Sequence, residues 1–579
     1  MRYHALACDY DGTIAERGVV APATRAALER LRASGRRVVL VTGRKLDDLE
    51  RVCPDWSIFD AIVAENGAVS VRPPWSEPRL LGPPAPDALV ERLRARGVTP
   101  LVRGAVIVAT AHPFEVEVME AIRVLGLELQ VIFNKGAVMV LPSGVNKASG
   151  LDAALADLGL SAHDVVGIGD AENDHAFLAR CGLAVAVADA LPSVREEADI
   201  VTRGGAGAGA VEIIDALLKD DTALAPRAGR GEIALGRRED GSTLSARAHG
   251  DAILCAGMSG GGKSTIVTGF LERVAEQGYQ YCVIDPEGDY AGIEAGPDEA
   301  AAVALGAPRR APTAEEVMAA LSAPQRNVIV NLLGLPLDER PDFCAMLLPR
   351  LVELRARFGR PHWIIIDEAH HVFPHDWQAT STAMPDALTG LVLVTVHPHH
   401  VAPAIMTGVS LMLAVGRDPA ETLRAAADAL KAPAPEVGKV DLKSGEALAW
   451  HPREGGAPVQ VRAFPPRIEH KRHVRKYAEG ELGPDQSFYF RGPDGRLNLR
   501  AQNLRFFLQV ADGVDDDTWQ HHLRQHDYSR WIRTALKDEE LADDVAGVEG
   551  AVDATPDLPA GESRARIRAA VEARYTAAP

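Results

Sequence analysis

The sequence is poor in cysteine and aromatic residues, and it lacks long apolar runs. Aromatic residues make up 5% of the chain, and the six cysteines form neither a CxxC pair nor a regular framework: Cys8, Cys53, Cys181, Cys255, Cys282 and Cys344. We therefore expect buried thiols in a reducing cytoplasm rather than disulfides. The opening MRYHALACDYDGT contains neither a secretory signal nor a membrane span, so we predict a cytoplasmic protein without a membrane partner.

The sequence also lacks a fixed-period repeat and an excess of basic residues. Its 62 Lys and Arg against 80 Asp and Glu give a formal charge of -18, which argues against nonspecific coating of nucleic acid but allows a local basic channel. An apolar share of 47% is that of a globular protein. With 579 residues, the chain exceeds what one hydrophobic core serves. Several domains are expected.

The spacing of apolar residues divides the chain. HALACDY, ATRAALERLRASG and RRVVLVTGR alternate as parallel βαβ units do, which predicts a Rossmann-like doubly wound sheet. Gly-rich and Pro-rich stretches interrupt the pattern. We predict an α/β multidomain chain with these parts: a core over 1–70 and 147–215, an inserted α/β cap over 71–146, a linker over 216–230, a second α/β domain over 231–465, a small, mostly helical α+β domain over 466–545, and a partly helical or disordered tail over 546–579.

The first candidate site is the segment DYDGT, where Asp9 and Asp11 follow an apolar strand. Ligands of open α/β sheets bind at such strand ends. One carboxylate can attack a phosphoryl group while the second donates a proton and later activates water. Thr42 in VTGR and Lys147 can bind phosphate, and Asp170 in GIGDAEND can help hold Mg²⁺.

These motifs together resemble the haloacid dehalogenase superfamily, in its branch with an α/β cap between the second and third motifs. The match over residues 1 to 215 includes D-x-D-G-T, T-G-R, E-N-G at Glu65 to Gly67, Lys147 and G-D-x-x-N-D. The resemblance implies that Asp9 is the nucleophile of a Mg²⁺-dependent phosphomonoesterase and Asp11 its acid and base. It also implies phosphate-binding residues, which are Thr42, Gly43, Lys147 and Asn173. The implied metal ligands are Asp9, Asp11, Asp170 and Asp174.

The predicted cap is short, like those of phosphoglycolate and sugar-phosphate phosphatases, so a small phosphorylated metabolite is the expected substrate. Its more reactive side chains are Trp75, Arg103, His112 and Lys135. We expect each of these four to be an ordinary surface or hinge position.

The second candidate site is GMSGGGKST, which follows the strand AILCA, precedes a helix and matches G-x-x-x-x-G-K-[ST]. Such a loop cradles ATP phosphates with backbone N–H groups, while Lys263 reaches the terminal phosphates and Ser264 ligates a second Mg²⁺. Downstream, WIIIDEAHH ends in Asp367, which would hold Mg²⁺, and Glu368, which would polarise the attacking water. The predicted ATP-binding residues are Gly257, Ser259, Gly260, Gly261, Gly262, Lys263, Ser264, Thr265 and Asp367.

Residues 230 to 465 resemble the HerA/FtsK branch of P-loop ATPases, whose members often form hexameric rings that move DNA. The resemblance makes Thr395 and His397 candidate sensors and Arg417 in AVGRDP a candidate finger across an oligomer interface. Where that branch usually has a glutamine, this chain has TVHPHH. The departure counts against translocation more than against ATP binding.

Three functions fit these features. The first is a bifunctional enzyme in which a capped phosphatase is joined to an ATPase. The second is a DNA-acting ATPase whose phosphatase processes nucleic-acid or nucleotide phosphates in repair or defence. The third is a P-loop domain that serves only as an oligomerisation switch. The acidic total and altered sensor favour the first, and Lys263, Asp367 and Glu368 argue against the third. The C-terminal basic run RIEHKRHVRK and its aromatic neighbours fit a solvated helix and a small core better than a base-stacking surface.

Overall fold

The computed structural model describes most of the chain. The described residues are 1–73, 77–258, 261–290, 302–377, 388–438, 440–467, 482, 487–495, 497–536, 538–554 and 559–575. The chain divides into two compact units, Met1–Arg467 and Ile468–Pro579. No helix among the described residues is long and apolar enough to cross a membrane.

An eight-stranded sheet forms the first layer of the N-terminal unit. Its order is β14-β13-β12-β1-β4-β5-β6-β7, and it is parallel from β14 to β5. Helices cover both faces, so β1 is buried along its whole length. The strands are β1 (Ala5–Cys8), β4 (Arg37–Val41), β5 (Ala61–Ala64), β6 (Val69–Val71), β7 (Arg79–Leu80), β12 (Val165–Gly169), β13 (Leu183–Ala186) and β14 (Ile200–Val201). The predicted Rossmann-like core is confirmed.

Helices of this core follow the strands in βαβ order. They are α1 (Pro22–Ala33), α2 (Leu46–Val52), α5 (Lys147–Leu158), α6 (His175–Arg180), α7 (Pro192–Glu197) and α8 (Ala206–Asp220). Helix α8 corrects one expectation, because it begins inside the Gly/Ala-rich stretch and covers the first five residues of the predicted linker. Its buried side chains Ile213, Ile214 and Leu217 explain why the helix continues to Asp220.

A separate four-stranded antiparallel sheet, in the order β10-β11-β9-β8, lies within the segment predicted as the cap. Two helices cover it, α3 (Asp87–Ala95) and α4 (Glu115–Leu125), and together they enclose their own apolar core. The strands are β8 (Val102–Arg103), β9 (Val108–Ala111), β10 (Leu129–Asn134) and β11 (Ala137–Pro142). Outside this segment, β2 (Ala15–Glu16) and β3 (Val19–Val20) form a separate two-stranded hairpin directly after DYDGT.

An eleven-stranded sheet carries the second half of this unit, in the order β16-β15-β25-β24-β23-β17-β22-β21-β18-β20-β19. The strands from β23 to β19 run parallel, and an antiparallel edge follows β23. They are β15 (Glu232–Arg238), β16 (Thr243–Arg247), β17 (Ala252–Ala256), β18 (Tyr281–Asp285), β19 (Val303–Leu305), β20 (Val328–Asn331), β21 (Trp363–Ile366), β22 (Leu391–Thr395), β23 (Leu411–Ala414), β24 (Glu446–Trp450) and β25 (Val459–Ala463).

The helices of this half are α9 (Lys263–Glu276), α10 (Ala314–Leu321), α11 (Arg340–Phe358), α12 (Ala369–Val372), α13 (Pro403–Met406) and α14 (Pro419–Leu430). Strands β15 and β16 pair antiparallel and form a hairpin. Gly241 in its turn has a φ of 82°, a backbone conformation that glycine adopts without strain.

A buried polar contact joins the two large sheets of this unit. Asp164, which directly precedes β12, accepts hydrogen bonds from His249 (3.1 Å) and His362 (3.2 Å). Arg360, which lies just before β21 of the eleven-stranded sheet, donates to the carbonyl of Gly159 at 2.6 Å. The half that carries the eight-stranded sheet and the half that carries the eleven-stranded sheet are therefore in direct polar contact.

The second unit contains a two-stranded sheet and several helices around an aromatic core. The strands are β26 (Phe488–Phe490) and β27 (Leu499–Ala501). The helices are Leu504–Gly513, Asp516–Arg524, Asp527–Trp531, Glu539–Ala554 and Ala560–Tyr575, with a π-helical turn at Ile532–Leu536. Most of the basic run, residues 468 to 476, lies outside the described residues.

Candidate phosphoryl-transfer and nucleotide sites

Three parallel strands place the first site. Asp9 follows β1, Thr42 follows β4 and Asp170 follows β12, and these strands are neighbours in the sheet. The carboxyl ends of parallel strands meet at one edge, where open α/β sheets bind ligands. The three side chains predicted from separate motifs are thus brought together, as their strand positions require.

Lys147 connects two of the carboxylates. It begins helix α5, and its Nζ lies 2.5 Å from Asp9 Oδ1 and 2.6 Å from Asp174 Oδ1. The lysine is 1% exposed, and a buried ammonium needs such paired and hydrogen-bonded partners. Asn146 fixes the start of the helix, because its side chain accepts from the backbone N–H of Ala148 and Ser149.

Burial and charge set the protonation of this group. Burial raises the pKa of Asp9 to about 7, and the adjacent Lys147 opposes that rise. Although burial alone would lower the pKa of Lys147, the Asp174 and Asp9 carboxylates raise it, so the lysine stays charged. A cation at the site would favour ionised Asp9, the form that can act as a nucleophile.

The remaining predicted residues lie around this centre. Arg44 holds Asp11 through two hydrogen bonds of 2.5 and 2.7 Å. Thr42 is buried, and its hydroxyl accepts from the Arg44 backbone at 3.1 Å. Gly43 lines a cavity that lies above Asp9, and the Asn173 side chain donates to the Asn66 side chain at 2.9 Å. Every residue predicted for this site therefore lies at or beside one edge of the sheet.

Lys135 is an exposed turn residue, as expected, but it also reaches the first site, which was not expected. It lies in the turn between β10 and β11, and its Nζ reaches Asp170 Oδ2 at 2.5 Å. Together with Arg44 and Lys45, it lines a cavity of about 320 Å³ above Asp9. Two of the other cap residues fit the expectation: Arg103 pairs with Asp87, and His112 with Glu115, both at the surface. Trp75 lies outside the described residues.

The carboxylates at this edge suit Mg²⁺. Oxygen atoms of Asp9, Asp170 and Asp174 lie within 4.8 Å of one another, and all three residues are buried. Hard carboxylate oxygens are the ligands that Mg²⁺ prefers. Asp174 also accepts from the backbone N–H of Asp170 and Ala171, so it orients the loop as well. Asp11 is not in this cluster, since its carboxylate is turned to Arg44.

Arg44 and Glu65 were not selected as site residues from the sequence. Glu65 is 2% exposed and accepts from the backbone N–H groups of Ala105, Val106 and Ile107, so it ties the core to the cap. Both residues lie inside motifs already noted, T-G-R and E-N-G. Both could have been selected from the sequence, because each is a charged residue inside a glycine-containing motif that follows a strand.

The second site lies at the start of helix α9. Lys263 Nζ donates to the carbonyls of Gly257 (2.8 Å) and Met258 (3.2 Å). Gly257 and Gly262 have φ values of 150° and 94°, and Gly261 lies between them in the loop. Ser264 and Thr265 occupy the first turn of the helix. Ser259 and Gly260, also predicted to bind ATP, lie outside the described residues.

Neighbouring strand ends bring the downstream motif to this loop. Strand β22 lies between β17 and β21, so Thr395 at its end is flanked by the loop and by Asp367. Gly257 N–H donates to the Thr395 carbonyl at 3.3 Å. Asp367 is buried, and Glu368 after it has a φ of 41°. His397 and Arg417 are exposed in the turns after β22 and β23.

Comparison with known proteins identifies the first of these regions. Residues 6–73 and 121–214 match the model of the haloacid dehalogenase-like hydrolases. A phosphoglycolate phosphatase of Methanothermobacter thermautotrophicus is 32% identical over 224 residues, 36% of this chain and 96% of that protein. One of Aeropyrum pernix is 32% identical over 222 residues, 37% of this chain and 92% of that protein.

Among solved structures, a haloacid dehalogenase-like hydrolase from Bacteroides thetaiotaomicron matches with a TM-score of 0.33 and 19% identity, over 37% of this chain and 99% of that one. The family motifs, the two sequence relatives and the sheet edge described above all fall in the same part of the chain. Through its residues 6–214, the chain belongs to the haloacid dehalogenase-like hydrolases.

Proposed function

We propose that the N-terminal part of the chain is a Mg²⁺-dependent phosphomonoesterase with Asp9 as nucleophile. The observation that carries the proposal is the buried group of Asp9, Lys147 and Asp174, with Asp170 beside it and with Asp9 lining the cavity. Asp9, Asp170 and Asp174 would hold Mg²⁺, which would neutralise charge on the phosphoryl oxygens. Thr42 and Lys147 would bind those oxygens, with Gly43 and Asn173 beside them.

Two steps complete the proposed reaction. A carboxylate oxygen of Asp9 attacks phosphorus, the bond from phosphorus to the ester oxygen breaks, and Asp11 gives its proton to the departing alkoxide. The ionised Asp11 then takes a proton from water, whose oxygen attacks phosphorus and releases inorganic phosphate and free Asp9. In the structure Arg44 holds both carboxylate oxygens of Asp11, so this pair has to open before Asp11 can carry the proton.

The substrate we propose is a small phosphorylated metabolite such as phosphoglycolate or a sugar phosphate. The cavity of about 320 Å³ fits a ligand of that size, and its Lys135, Arg44 and Lys45 offer positive charge to a second anionic group. The two relatives named as phosphoglycolate phosphatases favour the first substrate.

Trapping the intermediate tests the chemistry. With p-nitrophenyl phosphate, whose leaving group needs no proton, Asp11→Asn should release one equivalent of nitrophenolate and accumulate phosphorylated Asp9, because water is no longer activated. Asp9→Asn should give neither product nor phosphoprotein. Mass spectrometry locates the phosphate. Turnover by Asp9→Asn, or a phosphate located elsewhere in the Asp11→Asn protein, would contradict the assignment.

A phosphate-release screen tests the substrate class. Phosphoglycolate, sugar phosphates, nucleotides and phosphorylated DNA ends are compared by kcat/KM under one set of conditions. The small metabolites should be preferred by a factor of ten or more, since a cavity of about 320 Å³ fits them better than a DNA end. Preference for DNA ends would instead favour a function in repair or defence.

We also propose that residues 231 to 465 form an ATP-hydrolysing P-loop domain. The adjacent ends of β17, β22 and β21, with Lys263, Thr395 and Asp367 at them, support this second activity. Lys263 and the loop glycines would bind the phosphates, and Ser264 and Asp367 the second Mg²⁺. Glu368 would activate water, while Thr395 or His397 would sense the terminal phosphate and Arg417 would act across an oligomer interface.

Binding of a fluorescent ATP analogue and ATP hydrolysis test this domain. Lys263→Ala should weaken binding and abolish hydrolysis, whereas Lys443→Ala, a change in an exposed loop, should change neither. Unchanged binding by Lys263→Ala would overturn the proposal. Stimulation of the wild-type rate by DNA would favour the DNA-acting alternative, and sedimentation shows whether the chain assembles into a hexamer.

A further inference from the structure

Five histidines gather at the end of the eleven-stranded sheet, and one of them, His397, is also a candidate sensor of the proposed ATP site. This histidine cluster consists of His370, His371, His397, His399 and His400. Ring centroids are 4.2 Å apart for His370 and His371 and for His399 and His400. His397 links the two pairs, with its ring 5.6 Å from that of His370 and 5.1 Å from that of His400.

Three members of the cluster form a compact set of nitrogen donors. One ring nitrogen from each of His397, His399 and His400 lies within 4.8 Å of the other two, and all three residues are exposed. They sit on one short turn, the 3₁₀ helix Pro398–His400 and the residue before it. Among the described residues, none of these three side chains has a hydrogen-bond or ion-pair partner.

We propose that His397, His399 and His400 form a binding site for a divalent transition-metal ion of the Zn²⁺ class. Imidazole nitrogen suits Zn²⁺, Co²⁺, Ni²⁺ and Cu²⁺, whereas Mg²⁺ prefers oxygen. A tetrahedral ion with bonds of about 2.0–2.1 Å needs nitrogens roughly 3.4 Å apart. Side-chain rotation, which the exposed positions of the three rings allow, would have to bring the nitrogens to that spacing. A fourth position stays open for water.

The neighbouring set of Glu368, His370 and His371 is a weaker site, although its donor atoms are equally close. Nδ1 of His370 is already 3.1 Å from the Thr395 hydroxyl and 3.5 Å from Glu368 Oε2. A metal there would have to break these contacts. The set on the 3₁₀ turn loses none.

The position of the site gives the ion a structural consequence. The backbone N–H of His397 donates to the Thr395 hydroxyl at 3.1 Å, and Thr395 ends the strand beside the P-loop. A bound ion would therefore fix the turn that follows β22. This inference requires only the three imidazoles, so it stands or falls independently of ATP hydrolysis.

Metal titration of the full chain, prepared without an affinity tag, tests the site. Co²⁺ is added in millimolar Mg²⁺, which occupies oxygen sites, and the visible absorption of Co²⁺ bound through nitrogen is followed. His399→Ala/His400→Ala is compared with His112→Ala/His521→Ala, which removes one exposed and one half-buried histidine elsewhere. Circular dichroism verifies that both variants fold, and Zn²⁺ binding is measured by calorimetry.

Wild type and the control variant should each bind one Co²⁺ that Zn²⁺ displaces, and His399→Ala/His400→Ala should lose that ion or bind it at least tenfold more weakly. Equal stoichiometry and affinity in the two variants would overturn the proposal. So would a wild-type chain that shows no such absorption, or an absorption that disappears when Mg²⁺ is raised.

Discussion

Lys147 illustrates what one buried charge contributes at the residue scale. Its ammonium is held by Asp9 and Asp174. Neither carboxylate is exposed enough for water alone to solvate its charge. The same contact positions the nucleophile and leaves a positive charge next to the place where a phosphoryl group would bind. One side chain therefore both pairs with the buried carboxylates and supplies positive charge for phosphoryl transfer.

Lys135 gives the first prediction at this scale. Its ammonium lies in the cavity, 2.5 Å from Asp170. A charged hydrogen bond contributes about 1.5–3 kcal/mol, so Lys135→Ala should lower kcat/KM roughly 10–100-fold. The loss should be greater for a substrate with a second anionic group than for p-nitrophenyl phosphate. Steady-state kinetics on both substrates measure it.

Arg103→Ala is the matched control, because this cap cation pairs with Asp87 at the surface. It should leave kcat/KM within a factor of two. If Lys135→Ala behaves like Arg103→Ala on both substrates, Lys135 does not contact the substrate.

The sequence predicted the motif residues of the first site and not their supports. Asp9, Thr42 and Asp170 could be placed together because each follows a strand of one parallel sheet. Lys135 could not, since its position depends on how the cap lies over the core. The periodicity of a local sequence does not indicate how the cap packs on the core.

The position of helix α5 depends on a glycine, Gly150. A Cβ added to Gly150 would lie 2.6 Å from Gly67 Cα and 2.5 Å from Val63 Cγ1. The glycine therefore lets the helix that begins with Lys147 pack directly on the E-N-G turn. The position of Lys147 follows from this close approach.

Gly150→Ala should push helix α5 away from the turn. We expect a loss of about 1–3 kcal/mol in the free energy of unfolding, as for other overpacked sites, and a lower kcat because Lys147 shifts from Asp9. Denaturant unfolding and phosphatase kinetics measure the two effects.

Gly547→Ala is the comparison, since Gly547 is helical and a Cβ there meets open space. It should be neutral or stabilise by up to about 1 kcal/mol. A Gly150→Ala protein as stable and active as wild type would contradict the role of the close approach.

At the element scale, the sequence predicted the strands that lead into both candidate sites and missed one helix start. Apolar runs such as RRVVLVTGR and WIIIDEAHH are strands in the structure. Helix α8 was missed because its first turns are Gly and Ala, which carry no helical periodicity, and burial of its later residues extends it. Tertiary packing decided that boundary.

At the scale of the N-terminal unit, Asp164 joins the two large sheets. It is fully buried, and its pKa is lowered although burial alone would raise it, because His362 and His249 donate to the carboxylate. The partners lie 85 and 198 residues away in sequence. No motif or spacing in the sequence indicates this contact.

Asp164→Asn should destabilise this unit. Without the carboxylate, the N–H groups of His249 and His362 lose a charged acceptor, which costs about 1.5–3 kcal/mol per hydrogen bond, so the denaturation midpoint should fall clearly at pH 7. Asp157→Asn breaks only a partly exposed pair with Arg79 and should cost about 0–1 kcal/mol. Equal midpoints for the two variants would show that the Asp164 contact does not hold the sheets together.

The same contact makes stability depend on pH through His362. Its Nδ1 accepts from the Gln280 backbone N–H at 2.9 Å, and Nε2 donates to Asp164. Protonating Nδ1 would break the first bond. Burial accordingly lowers the pKa of His362, although Asp164 acts in the opposite direction. The folded chain therefore keeps a neutral imidazole at a pH where the unfolded chain already binds a proton.

Stability should consequently be lost as pH falls below the unfolded histidine pKa of about 6.5, by up to about 1.4 kcal/mol per pH unit for this group. Above that pH the contribution is fully present. His362→Gln should flatten the fall in denaturation midpoint between roughly pH 7 and 5.5, whereas His521→Gln, at a half-buried position of the second unit, should leave the slope as it is. An unchanged slope in His362→Gln would mean that the buried imidazole takes up its proton without opening the contact between the sheets.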